Sequence, residues 1–290
     1  MCGINAIISP YTPVSKNTIL EMNESLRHRG PNSSGIWMSR DHSVALGHTR
    51  LSILGLGPSG FQPMHSADQK WVIVFNGEIY NHQEIRKSLP IIKWNGSSDT
   101  ETLVNAISFW GVLKCLSKIK GMYAFAAYNK ISNNLYLARD PFGEKPISLF
   151  QSKEKIIVSS ELSGIKSVLK NVEINGAFIG DFLQNGFSPS NSTIYKKVFT
   201  IDPGEVYKVN SFNLKIKKYN KSNIPRTCNI DNLNDGICKL DQIFLKTLKD
   251  ICISEVPIGI LLSGGIDSRL IAAYVHKNNI QNISFFFNWI

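Results

Sequence analysis

The sequence predicts an α+β fold, in which antiparallel sheets are covered by helices, followed by a smaller α/β unit with a parallel sheet. In roughly the first two hundred residues, short apolar runs of strand length are separated by blocks of helical pattern. Strict strand–helix alternation, which is typical of a parallel sheet, is not seen there. After a basic, Asn-rich stretch the order changes to helix, strand, turn, helix and strand.

The strands of the first part are predicted from apolar or aromatic runs that end at turn-forming residues. Their composition, with few charges, is typical of strands that are buried on at least one face. These runs are Ile4–Ile8, Val44–Gly47, Trp71–Phe75, Gly121–Tyr128, Asn134–Arg139, Pro146–Phe150 and Ile156–Ser159.

Three helices are predicted between these strands. Thr18–His28 carries apolar residues on one face at helical spacing. A second helix is predicted to begin at Asn81, where Asn-His-Gln-Glu matches a capping box. A third follows Asp99, whose short carboxylate side chain makes a good N-cap.

The last part of the chain predicts one βαβ unit. Apolar residues recur at helical spacing from Ile237 to Ile251, and Val256–Leu262 then predicts a buried strand. The turn Ser263–Ser268 leads into another helix, and Ile283–Phe287 predicts a final strand parallel to the first.

These patterns predict a first domain at residues 2–205, a linker at 206–235 and an incomplete parallel-sheet domain at 236–290. The linker is predicted from composition, because residues 206–230 contain no acidic side chain. A solvated basic segment is a simpler interpretation than a nucleic-acid surface, which more commonly interleaves bases with stacking aromatics. We therefore expect no nucleic-acid partner despite the net charge of +10. The bases of this stretch are Lys208, Lys215, Lys217, Lys218, Lys221 and Arg226.

Other function classes are disfavoured by composition. No apolar run approaches the roughly 18 residues that a membrane helix needs, and the amino terminus lacks the basic and apolar regions of a secretory signal. The cysteines are odd in number and lack Cys-x-x-Cys spacing, and the six histidines show no ligand spacing. We therefore expect a cytoplasmic protein without a disulfide framework, a metal site or a membrane contact.

Cys2 is the first candidate for catalysis. Removal of Met1 would leave a thiol and a free α-amine on one residue. An α-amine titrates near pH 8 and can act as a base, whereas a thiol with a pKa of about 8.5 is mostly protonated at neutral pH. The nucleophile and its base would then belong to the same residue. Position 2 alone favours the alternative, a small apolar residue that opens an edge strand.

Eight short segments occur in a fixed order, and on them the sequence resembles the glutamine-hydrolysing asparagine synthetases along essentially its whole length. Each segment alone is a weak signal, but eight in order are specific. The resemblance implies a class II glutaminase domain, an αββα sandwich of the N-terminal-nucleophile hydrolase type, followed by an ATP-pyrophosphatase-type synthetase domain with a PP-loop. The segments are Met1-Cys-Gly-Ile4, Arg27-His-Arg-Gly-Pro31, Gly47-His-Thr-Arg-Leu-Ser-Ile53, Phe75-Asn-Gly-Glu-Ile-Tyr-Asn81, Ser98-Asp-Thr-Glu101, Gly121-Met-Tyr-Ala-Phe-Ala126, Ala138-Arg-Asp-Pro-Phe-Gly-Glu-Lys-Pro146 and Ser263-Gly-Gly-Ile-Asp-Ser268.

For the glutaminase half, the resemblance implies that Cys2 attacks the side-chain carbonyl of glutamine without a cofactor. The Asn76 amide and the Gly77 N–H would form the oxyanion hole. Arg50 can grip the α-carboxylate with a bidentate fork, and two carboxylates can hold the α-ammonium group. The structural alternatives are a surface ion pair for Arg50, a simple Asn-Gly turn, and a helix cap at Asp99. The glutamine-binding residues implied are Arg50, Leu51, Ser52, Ile53, Leu54, Asn76, Gly77, Glu78 and Asp99.

For the synthetase half, the resemblance implies ATP, Mg²⁺ and aspartate. The turn after the apolar strand places N–H groups and hydroxyls where a pyrophosphate would lie, although it is not a Walker A loop. Arg269 stands where the family usually has a second serine, and family domains continue for some two hundred residues beyond this turn. The ATP-binding residues implied are Leu262, Ser263, Gly264, Gly265, Asp267 and Ser268.

Two alternatives to asparagine synthesis stay open at this point. Related enzymes pass the ammonia to a sugar or close a β-lactam, and the residues that would bind the acceptor are not in this sequence. The chain can also be a glutaminase subunit without synthetase activity, paired with itself or with a partner ligase chain. In one family segment the usual Asp is replaced by Asn32, whose role the sequence leaves open.

Overall fold

The computed structural model describes residues 1–90, 93–169, 171–188, 191–220 and 232–287. They divide into two compact units, Met1–Ser222 and Asn223–Ile290, and each unit is described by itself. None of the helices in these described ranges is long and apolar enough to cross a membrane.

The described part of the first unit contains twelve strands, all paired antiparallel in two six-stranded sheets. The strands are β1 (Gly3–Ile8), β2 (Ser33–Met38), β3 (Val44–Arg50), β4 (Met64–His65), β5 (Trp71–Ile79), β6 (Gly121–Asn129), β7 (Asn134–Arg139), β8 (Ser148–Gln151), β9 (Ile156–Ser159), β10 (Val198–Thr200), β11 (Glu205–Asn210) and β12 (Ile216–Asn220). The first sheet has the order β10-β8-β9-β1-β3-β2, and the second has the order β12-β11-β7-β6-β5-β4.

Six helices accompany these sheets in the described ranges, and α1, α3 and α6 have a side-chain N-cap. The α1 helix begins after Ser15, whose hydroxyl accepts from the Thr18 N–H at 3.1 Å. A short 3₁₀ turn at Pro58–Gly60 precedes β4. The helices are α1 (Lys16–Ser25), α2 (His82–Ser88), α3 (Asp99–Trp110), α4 (Val112–Leu116), α5 (Leu162–Val168) and α6 (Gly176–Asn185).

The apolar core is divided into layers. One cluster lies between the two sheets and includes Ile4 and Leu46 from one sheet and Val74 and Leu137 from the other. A second cluster packs α2, α3 and α4 against the outer face of the second sheet, and a third packs α1 and α5 against the first sheet. Helices outside two facing antiparallel sheets form the predicted αββα sandwich, which is confirmed.

Two predicted helix starts differ in detail. The N-cap of α3 is Ser98, whose hydroxyl accepts from the Thr100 N–H at 3.2 Å, so Asp99 is the first helical residue rather than the cap. The predicted capping box at Asn81 is not formed, because that side chain accepts from the Lys120 N–H at 2.8 Å instead. In both cases the side chain that was expected to cap the helix makes a tertiary hydrogen bond instead: Asp99 accepts from the Ile79 N–H, and Asn81 accepts from the Lys120 N–H.

The range predicted as a linker begins with two sheet strands. β11 pairs with β7 and β12 pairs with β11, so that Lys208 lies opposite Lys217. The Lys217 ammonium lies 5.0 Å from the centre of the Tyr219 ring, so a base contacts an aromatic ring on this edge. Residues 221–231 of the predicted linker, including Lys221 and Arg226, lie outside the described residues.

The second unit contains α7 (Leu233–Ile251), β13 (Ile258–Leu262), α8 (Ile266–Lys277) and β14 (Ile283–Phe287). β13 and β14 are parallel and in register, with Ile258 opposite Ile283, as predicted for a βαβ unit. Within the described part of this unit, Leu248 and Val275 are the buried apolar residues, and most of the apolar face of α7 is exposed.

Candidate active site

A small pocket of about 120 Å³ collects the chemical groups of the first unit. It lies between the start of β1, the loop that follows β3, the second half of β5 and the first turn of α3. Its lining residues are Met1, Cys2, Arg50, Leu51, Ile53, Leu54, Gly60, Gln62, Phe75, Asn76, Gly77, Glu78, Ser98, Asp99, Thr100, Met122 and Lys145.

The Cys2 thiol is held at the pocket wall by the backbone of Leu51. Cys2 Sγ lies 3.4 Å from the Leu51 N–H donor and 3.5 Å from the Leu51 carbonyl oxygen. On the other side, Arg29 Nε donates to the Cys2 carbonyl at 3.0 Å, and Arg29 Nη1 forms an ion pair with Glu161 at 2.6 Å. Burial raises the pKa of the Cys2 thiol, so the resting thiol is protonated at neutral pH and needs a base.

The strand β5 turns a series of N–H groups toward the pocket. In an antiparallel ladder, alternate residues direct their N–H and C=O groups to opposite edges. The Phe75 N–H donates to Gln62 Oε1 at 2.6 Å, and the Ile79 N–H donates to Asp99 Oδ2 at 2.9 Å, so both point away from β6. Gly77 shares their parity, and its N–H therefore points to the same edge, where the pocket lies.

Asn76 supplies a second donor beside Gly77. Its side chain is 1% exposed, and its Nδ2 atom has no hydrogen-bond partner among the described residues. A Cβ at Gly77 would lie 2.1 Å from the Met122 carbonyl oxygen, so the close approach of β5 to β6 requires glycine there. A buried amide without a partner is costly, which favours a ligand oxygen as its acceptor.

Two carboxyl groups and an amine also line the pocket. Burial, and next the charge of Asp99, raise the pKa of Glu78 to about 7, while Lys145 opposes this shift. Burial raises the pKa of Asp99 to about 6, although the Ile79 and Thr100 N–H groups favour its charged form. Burial lowers the pKa of Lys145, and the charge of Glu78 opposes that shift. Carboxylates that are costly to charge in this way gain stability from a bound cation.

Arg50 organises the loop after β3. Its side chain is 4% exposed; Nη1 donates to the Gly57 carbonyl at 3.1 Å, and Nη2 donates to the Leu54 and Gly55 carbonyls. The Arg50 side chain lines the pocket, but its Nη2 atom already donates to carbonyl groups of the loop. The expected fork, with both terminal nitrogens on one carboxylate, is therefore not available in this arrangement.

All but one of the predicted glutamine-binding residues line the pocket. Ser52 does not; its N–H instead donates to Asn32 Oδ1 at 3.0 Å. This bond needs only an acceptor oxygen, which Asn provides as well as Asp, and it accounts for Asn32 in place of the usual Asp. The sequence prediction missed Gln62, Thr100, Met122 and Lys145, which also line the pocket.

The predicted ATP-binding residues lie together in the second unit. Leu262 ends β13, and Gly265 caps α8, with Asp267 and Ser268 in the first turn of that helix. Ser263 Oγ lies 3.3 Å from Ser268 Oγ. Ser263, Gly264, Gly265 and Asp267 are exposed.

Comparison with known families agrees with the geometry of the first unit. A model of the glutamine amidotransferase domain matches residues 1–220, well over half of the chain. The chain belongs to the glutamine amidotransferase family. A second model, asparagine synthase, matches residues 239–287.

Relatives of known name are about twice as long. A putative glutamine-hydrolysing asparagine synthetase from Methanocaldococcus jannaschii is 31% identical over an alignment that covers 96% of this chain and 57% of that protein. The glutamine-hydrolysing asparagine synthetase 1 of Bacillus subtilis is 32% identical, with 94% of this chain and 43% of that protein covered. The chain thus spans about half the length of the curated relatives it matches.

Solved structures share the fold. The allosteric regulatory enzyme of purine biosynthesis has a TM-score of 0.57 at 21% identity, with 99% of this chain and 65% of that chain covered. Glutamine phosphoribosylpyrophosphate amidotransferase from B. subtilis has a TM-score of 0.56 at 19% identity, with the same coverage. At these identities the likeness concerns the fold alone.

Proposed function

We propose that this amidotransferase releases ammonia from glutamine with the Cys2 thiol as nucleophile. The observation that carries the proposal is one pocket that holds the Cys2 thiol, two adjacent N–H donors at Asn76 and Gly77, and two carboxyl groups, one buried and one partly buried. A nucleophile, an oxyanion site and a cation site are the parts that hydrolysis of an amino-acid amide needs.

In the proposed reaction, removal of Met1 exposes the Cys2 α-amine, which takes the thiol proton as Sγ attacks the amide carbon. The oxygen of the tetrahedral intermediate accepts from Asn76 Nδ2 and the Gly77 N–H. The C–N bond then breaks, and the proton on the amine passes to the leaving nitrogen as ammonia departs. Water attacks the thioester with the amine again as base, which yields glutamate and restores the thiol.

Substrate selection follows from the charges around the thiol. Glu78 and Asp99 would hold the α-ammonium group, because burial raises the pKa of both carboxyl groups, the charge of Asp99 adds to this at Glu78, and a bound cation favours their charged forms. Arg50 would supply the positive charge for the α-carboxylate while it keeps the loop after β3 in place. The pocket would thus select a free amino acid over a glutamine residue within a peptide.

The direct test measures ammonia and glutamate from L-glutamine with the full chain, after mass spectrometry has shown that Met1 is absent. Equal amounts of the two products are expected. N-acetyl-L-glutamine is the matched control substrate, since it keeps the amide and the carboxylate but cannot carry the ammonium charge, and it should react poorly. Absence of ammonia from processed, folded protein would contradict the proposal.

We infer further that the ammonia serves ATP-dependent conversion of aspartate to asparagine. The support is the asparagine synthase match at residues 239–287 and the names of the relatives, which favour aspartate over a sugar or β-lactam acceptor. On this proposal, residues 2–205 would form the glutaminase domain and residues 236–290 would be the first part of the synthetase domain.

The residues at Ser263–Ser268 fit a nucleotide phosphate. Gly264 has a φ of +79°, and a Cβ placed there would meet nothing within 4 Å, so open space lies in front of the α8 amino terminus. Backbone N–H groups and the Ser263 and Ser268 hydroxyls would hold the phosphates, with Asp267 as the acidic residue nearest a Mg²⁺ ion. ATP, when bound, would supply the energy that activates the acceptor carboxylate.

A genetic experiment tests the acceptor. A strain that lacks the gene should require asparagine, and the intact gene should remove that requirement. The gene with Cys2→Ala should do so only when ammonium is supplied in excess, because that variant loses the internal ammonia source and leaves residues 236–290, and any partner ligase chain that completes them, unchanged. Growth without asparagine in the deletion strain, in the absence of a second synthetase, would exclude this acceptor.

A further inference from the structure

A buried histidine and a glutamine bind the two backbone groups of Phe75, the residue that precedes the oxyanion donors. His48 Nε2 lies 3.1 Å from the Phe75 carbonyl oxygen, and Gln62 Oε1 lies 2.6 Å from the Phe75 nitrogen. Phe75 immediately precedes Asn76 in β5. Both the donor and the acceptor of one backbone residue are therefore bound by side chains rather than by a neighbouring strand.

The side chain of His48 reaches across the sandwich. His48 lies in β3 of the first sheet, opposite Ile4 of β1, while Phe75 lies in the second sheet. His48 is fully buried, and burial lowers its pKa to about 3, so the ring is neutral at physiological pH. A carbonyl can only accept, so Nε2 carries the proton and donates to Phe75.

The Gln62 side chain accepts the hydrogen bond that a neighbouring strand would otherwise accept from Phe75. β4 pairs with β5 through Met64 and Ile73, and continuation of that register would bring position 62 opposite Phe75. Gln62 Nε2 also donates to Thr100 Oγ1 at 3.2 Å, in the first turn of α3 next to Asp99. One side chain thus connects the strand with the oxyanion donors to the helix that carries a substrate-binding carboxylate.

The direction of the Asn76 amide depends on this support. Its Nδ2 atom has no partner among the described residues, so no other hydrogen bond from that atom orients the side chain. We propose that His48 and Gln62 are positioning residues. By holding the C=O and the N–H of Phe75, they fix the backbone that directs Asn76 Nδ2 and the Gly77 N–H at the oxyanion. This inference rests on the proposed glutaminase reaction and extends it to two residues that need not touch the reacting atoms.

The experiment compares two variants. His48→Leu removes the donor and fills the site with an apolar side chain, whereas His48→Gln keeps an N–H donor of similar reach. In the full processed chain, His48→Leu should lower kcat for glutamine about tenfold or more while KM changes less than about threefold, since only oxyanion stabilisation is lost. His48→Gln should restore most of kcat. If His48 only filled space, His48→Gln would not restore kcat relative to His48→Leu, because the two variants differ mainly in the N–H donor.

Alkylation of Cys2 by iodoacetamide supplies the second readout. That displacement at a CH₂ carbon forms no oxyanion, so its rate should stay within about twofold of wild type in His48→Leu. His82→Leu is the matched control: His82 is another buried neutral histidine, outside the pocket lining, and its loss should leave kcat unchanged. If His48→Leu does not fold, Gln62→Met tests the same residue through its N–H group.

The possible outcomes separate this inference from the proposed function. Wild-type protein that releases no ammonia contradicts the proposed function itself. An active wild type together with unchanged kcat in folded His48→Leu or Gln62→Met overturns the positioning role alone. An equal loss of kcat and of Cys2 alkylation also overturns it, because the defect would then lie at the nucleophile rather than at the oxyanion donors.

Discussion

The pocket at Cys2 and the turn at Ser263–Ser268 both present N–H groups to a ligand oxygen, but in opposite surroundings. In the first, the Asn76 and Asp99 side chains are almost fully removed from solvent, and Gly77 and Glu78 are partly buried. The second lies at the exposed start of a helix in a unit with few buried side chains. Electrostatic interactions strengthen as water is excluded, so a group in the first site should affect function far more than an equivalent group in the second.

The largest effect is expected for Cys2→Ala, which should abolish glutamine hydrolysis, because no other described thiol lines the pocket. The fold should be kept, since the change removes one small group near the chain end. Ammonia release and circular dichroism check both parts, and Cys238→Ala, an exposed cysteine of the second unit, is the control that should stay active. Activity that survives in Cys2→Ala would remove the basis of the mechanism.

Asn76→Ala should have the next largest effect. Removal of one oxyanion donor costs about 10²–10³ in kcat, and this donor lies in a dry site. Steady-state kinetics should show the loss in kcat with little change in KM. Asn185→Ala, on the exposed helix α6, removes an amide that bonds within its own helix and should have no effect on kcat. Equal effects of the two variants would exclude the oxyanion role.

The carboxyl pair predicts a pH dependence of binding. Groups with pKa values of about 7 and about 6 are charged above these values and neutral below them, so KM for glutamine should rise as the pH falls through 7 and then 6. Titration of the Cys2 amine would act on kcat, which separates the two effects. In Glu78→Gln, KM should be higher at neutral pH and should lose its change near pH 7. A KM that is constant across this range would contradict the cation site.

Arg50→Lys should produce a mixed effect. Lysine keeps the charge but replaces the two terminal nitrogens of the planar guanidinium by a single nitrogen, so KM should rise by a factor that corresponds to about 1.5–3 kcal/mol. The melting temperature should fall as well, because the loop loses its support. An unchanged KM with a lowered melting temperature would assign Arg50 to the loop alone.

The sequence predicted the buried strands well, because apolar runs such as Trp71–Phe75 carry their own signal. It missed β2, which is short and half-exposed with two serines, and α6, whose residues are not buried. It assigned β11 and β12 to a linker, because lysines on an exposed sheet edge have the composition of a solvated segment.

The sequence predicted mainly those site residues that lie in recognisable local motifs. Cys2, Asn76 and Gly77 belong to segments that the family resemblance marks. Gln62 acts through a side-chain bond to Phe75, thirteen residues away, and Lys145 enters the pocket from a loop beyond β7. Such contacts depend on the sheet register, which a single sequence does not reveal. Cytoplasmic location and the absence of a nucleic-acid partner stay predictions.

The smallest effects are expected at the turn of the second unit. A helix amino terminus contributes about 0.3–1 kcal/mol toward an anion at an exposed position, whereas each tenfold in affinity needs about 1.4 kcal/mol. Since Ser263, Gly264 and Gly265 are exposed, the 290-residue chain alone should bind ATP–Mg²⁺ more weakly than about 1 mM and should form no asparagine.

Isothermal titration and an asparagine assay check this expectation, and Gly264→Ala sharpens it. A Cβ at a φ of +79° strains the turn and occupies the open space before α8, yet glutamine hydrolysis should stay within about twofold of wild type, since the change lies in the other unit. Micromolar binding of ATP by the chain alone would show that further protein surface, from self-assembly for example, encloses the turn. The contrast between a desolvated and an exposed site would then disappear, because the second site would also be closed to water.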